Sequence, residues 1–340
     1  MKRVIFDCDG VLVESKNSYD LAIEEVLRHV FKPLNSINGI SFKEIERLRL
    51  TGLYNIEWDT TFALAMFIFS QLSKEQARAV LENLKENESI GRFKPLDSSK
   101  VVGTFNEFVM ELKGDPIGDA ENYTRRLCSQ NGTLRELEEF INILGRPNDP
   151  NRSHLVKIFD ALYYGNSLYT KVYGDHPPFD FKNGFIENEK TLVKKGVLND
   201  IWKLFGTKFF LLTGRSRVGT EYVLKNIAEF FDFENSIFIE DIIRSKPKEA
   251  SKVKKPSPIP LLNLANEPGT MYIGDSAEDL IMCLKAKKTF RRLYFIGVTG
   301  AKTSPRRMEE FFMSSSADVV VNSVNDLARV FKSIKGGEIF

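Results

Sequence analysis

Asp7 and Asp9 lie two positions apart in Val-Ile-Phe-Asp-Cys-Asp-Gly, where an apolar run gives way to a turn, so both carboxylates can face one pocket. Gly10 lets the chain turn sharply beside a bound ligand. Asp275 and Asp279, in Gly-Asp-Ser-Ala-Glu-Asp, follow a second apolar run. A helix opening near Ser276 places them about one turn apart on one side. Four carboxylates converging on one pocket repel each other. A divalent cation offsets that repulsion, and an all-oxygen donor set suits Mg²⁺ better than zinc. Thr213 ends another apolar run, and its hydroxyl with the N–H groups at Gly214 suits phosphate oxygens. Lys255, in Lys-Pro-Ser-Pro, supplies an ammonium able to neutralise a phosphate and an attacking carboxylate together. Lys246, followed by Pro247 in the same basic stretch, is the minority candidate for that lysine.

These residues sit at the ends of predicted strands. Val4–Phe6, 208–212, 236–239, 270–273, 293–298 and 318–321 are short apolar runs of the kind buried in a parallel sheet. Helical patterns over 198–205, 218–231, 276–287, 305–312 and 324–334 alternate with them. The alternation predicts an α/β fold, a Rossmann-like parallel sheet with helices on both faces and ligands at the carboxyl ends of the strands.

Residues 15–185 interrupt the pattern. A structureless loop of that length is implausible, and the segment carries helical periodicity over 18–31, 42–50, 60–72, 74–88, 104–112, 119–127, 133–144 and 152–163. Ser73 and Gln76 form a capping-box pattern. The reading is a core of residues 1–14 and 186–340 with an inserted, mostly α-helical cap domain over 15–185.

The four motifs, in this order and each at a strand end, resemble the haloacid dehalogenase superfamily in its phosphatase branch. They are Asp7-Cys-Asp-Gly-Val, Leu-Leu-Thr213-Gly-Arg, Lys255-Pro-Ser-Pro and Gly-Asp275-Ser-Ala-Glu-Asp279. The resemblance covers residues 1–14 and about 186–335. It implies a Rossmann-like core with a helical cap inserted after the first motif. It makes Asp7 the nucleophile that becomes an aspartyl-phosphate. Asp9 becomes the acid for the leaving oxygen and then the base for water. Thr213, Gly214 and Lys255 would hold the phosphoryl group. Asp7, Asp275 and the backbone carbonyl of Asp9 would bind Mg²⁺, with Asp279 and Gly10 supporting. An ordinary Asp, with a pKa of ~3.9, is ionised and ready to attack at neutral pH. Asp9 must carry a proton when it acts as acid, which neighbouring carboxylates and cap closure would favour. Dehalogenases lack the second Asp, so Asp9 argues against dehalogenation. The cap is about twice the usual length, so what the family says of specificity does not transfer.

Other features have blander readings. Cys8 should point away from its neighbours as a small core residue. The basic stretch 244–255 has no interleaved aromatics, which favours a solvated loop over a nucleic-acid surface. The 51–59 cluster, with Tyr54, Asn55, Trp58 and Asp59, either reads a substrate or packs and caps within the inserted domain. Arg215 and Arg217 meet a phosphate or carboxylate, or open a surface helix, the surface reading fitting Arg217 better.

The formal net charge of +2, from 48 basic and 46 acidic residues, gives no global pull toward nucleic acid or membrane. Three scattered cysteines and three scattered histidines suggest neither a disulfide framework nor a zinc site. The expectation is a cytoplasmic Mg²⁺-dependent phosphatase acting on a small phosphate ester, without membrane or nucleic-acid partners. A phosphomutase and a catalytically idle binding protein are the rival readings. The sequence sets neither the substrate nor the oligomeric state.

Overall fold

The computed structural model describes residues 3–34, 41–54, 56–85, 93, 96, 98–265, 267–302 and 304–335. The chain divides into two compact units, Met1–Asn17 with Ile186–Phe340, and Ser18–Phe185.

The first unit is built on a six-stranded parallel sheet. In chain order the strands are β1 (Val4–Phe6), β4 (Phe210–Thr213), β5 (Ile237–Phe238), β6 (Thr270–Gly274), β7 (Leu293–Val298) and β8 (Val319–Val321). A separate antiparallel pair joins β2 (Val13–Glu14) to β3 (Lys190–Thr191). The main sheet runs β5-β4-β1-β6-β7-β8, so the chain winds outward from β1 in one direction and then returns to wind outward in the other. That is the doubly wound Rossmann-like order, and its ligand crevice lies where the order reverses, at the carboxyl ends of β1 and β6. The two central strands are fully buried and, Thr270 apart, largely apolar, as parallel strands covered on both faces must be. Their register pairs Ile5 with Tyr272 and Phe6 with Ile273. The next residues outward therefore emerge side by side.

Several boundaries differ from expectation for local reasons. Phe209 leaves the second predicted strand to bridge Phe231, and pairing with β5 takes in Thr213 instead. The third predicted strand stops at Phe238. Ile239 opens the helix Ile239–Ser245, whose first turn carries Glu240 and Asp241 and which is braced by a Glu240–Arg244 pair at 2.8 Å. An edge strand paired on one side only loses that contest. The basic stretch is no open loop either, but short helical turns over Pro247–Glu249 and Ala250–Val253. The helix predicted over 218–231 breaks at Lys225 into Arg217–Leu224 and a 3₁₀ turn, Lys225–Phe230. The β2–β3 pair, with two residues in each strand, is too short to read from periodicity.

The second unit is helical. The chain enters it along Lys16–Val30 and continues through Phe42–Arg49, Glu57–Ser70, Lys74–Leu84, Ser98–Glu111, Pro116–Asn131, Leu134–Leu144 and His154–Tyr173. Residues 86–88, at the end of one predicted helix, lie outside the described residues. The capping box at Ser73 and Gln76 is formed. The apolar run Phe62–Phe69 is the buried centre of this unit, with Phe69 stacked on Phe140 and Phe67 on Phe108. No helix among the described residues is long and apolar enough to cross a membrane.

Candidate active site

Asp7 leaves the end of β1 with its N–H donating to the Ile273 carbonyl at 2.8 Å. The chain then folds back, with the N–H groups of Leu12 and Val13 donating to the Cys8 carbonyl. Gly10 sits in this turn at φ +68°, and a Cβ there would lie 1.8 Å from Asp275 Oδ2. The turn therefore demands glycine twice, for its backbone angle and for the approach of the Asp275 carboxylate. Gly10→Ala should destabilise the fold by more than the roughly 1–2 kcal/mol of a left-handed alanine, read as a lower melting temperature. Gly206→Ala is the control, since Gly206 has φ +70° and nothing within 4 Å of an added Cβ. Equal melting temperatures for the two variants would refute the steric part.

Asp275 follows β6, and the helix expected to open near Ser276 runs over Ala277–Lys287 with Ser276 as its cap. Asp279, in the first turn, is saturated with donors. Its Oδ2 accepts from the N–H groups of Asp275 (3.2 Å) and Ser276 (3.1 Å) and from Ser276 Oγ (2.7 Å). Its Oδ1 accepts from Tyr272 Oη (2.5 Å) and Lys255 Nζ (2.8 Å). Burial pushes the Asp279 carboxyl up, but the Lys255 charge and these hydrogen bonds outweigh it and hold it below the ordinary value. Asp279 is thus an organiser with little capacity left for another ligand.

Lys255 lies 2.9 Å from Asp7 Oδ2 and bridges Asp7 to Asp279. Lys246 is exposed at the end of Ile239–Ser245. Between the two candidates the structure brings in Lys255. Burial works against the Lys255 charge, but Asp279 and Asp7 more than offset it and raise its pKa. A second ammonium, Lys302, meets Asp275 Oδ2 at 2.5 Å. No motif marks it in the sequence, although it lies just beyond β7 and the strand-end rule points to that segment.

Oxygens of Asp7, Asp275 and Asp279 lie within 4.8 Å of one another. Burial, the largest influence, drives the carboxyls of Asp7 and Asp275 upward, and neighbouring carboxylates add to it. Lys255 opposes the rise at Asp7 and Lys302 opposes it at Asp275. An ionised Asp7 at neutral pH therefore does not follow from its ordinary pKa: burial and the neighbouring carboxylates favour the neutral form, and Lys255 beside it favours the charged one. The donor set fits a hard divalent cation. It is all oxygen, buried, and holds two ammonium groups against three carboxylates.

Asp9 departs from the expected convergence of four carboxylates. Its side chain turns to Arg215, whose Nε lies 2.9 and 3.0 Å from the two Asp9 oxygens and whose Nη2 lies 2.5 Å from Oδ1. Arg215 Nη2 also meets Glu189 Oε2 at 2.8 Å. The immediate neighbour of Asp9 is thus a buried cation. Glu189 carries no motif or periodic signal and could not have been found from sequence.

Thr213 is buried at the end of β4, and its Oγ1 accepts from the Arg215 N–H at 3.3 Å. Gly214 is exposed. The remaining features fall on their blander side. Cys8 is fully buried and burial pushes its thiol up. Arg217 opens a helix and pairs with Glu221 (2.9 Å) and Glu234 (2.5 Å). In the 51–59 cluster, Tyr54 donates to the Pro116 carbonyl and Trp58 to Asp160, and both are buried with Asp59. These bonds hold Tyr54 and Trp58 within the helical unit, while Asn55 lies outside the described residues.

No protein-family model matches this chain, and no curated protein matches it. Solved structures do. One determined by the Northeast Structural Genomics Consortium aligns over 98% of this chain and 99% of its own, with a TM-score of 0.62 and 17% identity. Phosphatase Tt82 from Thermococcus thioreducens aligns over 91% of this chain and 98% of its own, with a TM-score of 0.54 and 20% identity. At these identities the likeness is one of fold, an α/β Rossmann-like sheet accompanied by a helical domain.

Proposed function

We propose that this chain is a Mg²⁺-dependent phosphomonoesterase of the haloacid dehalogenase type, acting on a small phosphorylated metabolite. The observation that carries the reading is the meeting of Asp7, Asp275 and Asp279 at the switch point of the sheet, with Lys255 bridging Asp7 and Asp279. The similar fold of a phosphatase supports it.

In this reading Asp7 attacks the phosphorus and forms an aspartyl-phosphate. Lys255 neutralises the phosphoryl oxygens, and the exposed backbone at Gly214 and the Thr213 hydroxyl orient them. Asp9 delivers a proton to the departing oxygen and then withdraws one from the water that releases phosphate. Asp7 and Asp275 would hold Mg²⁺, which supplies positive charge to the nucleophile and the phosphoryl group. Asp279 fixes Lys255 and the start of its helix.

Purified protein should release phosphate from a nitrophenyl ester or from members of a metabolite-phosphate panel when Mg²⁺ is added. Turnover unaffected by EDTA, or none across the panel, would overturn the reading. Conversion to an isomeric phosphate faster than phosphate release would point to a mutase instead.

A further inference from the structure

We propose that Glu189 is a positioning residue that, through Arg215, sets the orientation of the Asp9 carboxylate. The inference rests on the phosphatase reading, in which Asp9 serves the leaving oxygen.

The three side chains differ in environment. The side chain of Arg215 is 2% exposed and that of Glu189 0%, whereas that of Asp9 is 32% exposed. The Glu189–Arg215 end of the array is sealed, and the Asp9 end opens outward. A guanidinium offers a planar fork of five donors. Glu189 engages Nη2, and Nε and Nη2 face Asp9. The buried end works as a fixed counter-ion and the outward end as the working contact.

The backbone holds these positions. The Arg215 N–H donates to Thr213 Oγ1, and Ser216 caps the helix Arg217–Leu224, with its Oγ accepting from the Gly219 N–H at 3.0 Å. Glu189 immediately precedes β3, and Asp9 and Gly10 precede β2. The pairing of Val13 with Thr191 and Glu14 with Lys190, extended by the Leu192 N–H on the Leu12 carbonyl at 2.8 Å, fixes one segment against the other. The strand pair therefore sets both carboxylates around one guanidinium. Without the Glu189 charge, Arg215 loses a counter-ion at its buried end. The guanidinium is then no longer anchored at its buried end, and the fork that orients the Asp9 carboxylate loses its fixed position.

The test compares two esters with Mg²⁺ present. A nitrophenyl phosphate releases a stable anion and needs little protonation, whereas an alkyl phosphate needs an acid at the departing oxygen. Glu189→Gln should lower kcat on the alkyl ester by about 10²-fold, the low end of what acid–base assistance supplies. On the nitrophenyl ester kcat should stay within roughly three-fold, with KM unchanged for both. Glu189→Asp keeps the charge at a shorter reach and should show a smaller loss with the same preference, which covers the case of a poorly folding amide variant. Equal losses on both esters would reduce Glu189 to a structural residue and overturn the inference, as would no loss on either. A wild-type protein that turns over neither ester overturns the phosphatase reading itself, a separate outcome.

Discussion

Asp7→Asn should reduce phosphate release by roughly 10⁴-fold or more while leaving the protein folded. An amide at this position is a poor nucleophile, and the neighbouring carboxylates among the described residues are engaged elsewhere, Asp275 with Lys302. Asp279 is committed to five donors, and Asp9 is engaged by Arg215. A loss of this size corresponds to about 5 kcal/mol of barrier. The same substitution should move stability in the opposite direction in metal-free protein at alkaline pH. Burial raises the Asp7 carboxyl well above its ordinary value, so the folded state favours the neutral form. That preference contributes stability in full below ~pH 4 and is lost as the pH climbs through the raised folded value. Asparagine is neutral throughout and suffers no such loss. At pH 8 without metal, the melting temperature of the variant should equal or exceed that of the wild type. A variant retaining more than a tenth of the activity would remove Asp7 from the nucleophile's role. A variant that melts well below the wild type would show that its inactivity came from damage to the fold.

How much of this was visible beforehand differs by level. The strands carrying Asp7 and Asp275 are continuous apolar runs ending in acidic residues, and that pattern survives folding because both are central and covered on both faces. The edge strand at Ile237–Phe238 is shorter than its apolar run implies because pairing on one side leaves local preferences to decide. Lys255 was legible from its motif, and the competing Lys246 was separated from it only by the short helical turns between them. Arg215 was an open question and Glu189 was invisible. Glu189 reaches the site through a strand pair closing across the 168 residues of the inserted unit, and no local periodicity encodes such a closure.

The charge state of the pocket was the least legible quantity, and it leads to the second large expected effect. Mg²⁺ should raise the melting temperature of this protein, and the rise should widen from pH 5 to pH 8. At a hundred-fold excess over Kd, binding to the folded state alone is worth about 2.7 kcal/mol. For a unit of this size that is roughly 5–10 °C. The widening follows from two opposed demands on the same carboxylates. Metal-free, Asp7 and Asp275 both have raised values, so the folded state loses stability as the pH rises above ~4 and they are forced to ionise beside one another. A cation requires them ionised and binds more tightly as they lose their protons. Raising the pH therefore weakens the metal-free fold and strengthens the metal-bound one. Asp279, whose value is lowered, contributes with the opposite sign. Its share of stability is present above ~pH 4 and lost only as the pH falls through its depressed value, so it leaves the pH 5–8 interval unaffected. Melting curves with EDTA and with Mg²⁺ across that interval separate the two groups of carboxylates. A Mg²⁺ effect that shrinks with rising pH would place the cation away from Asp7 and Asp275. A constant effect would mean that Lys255 and Lys302 already keep both carboxylates ionised without it.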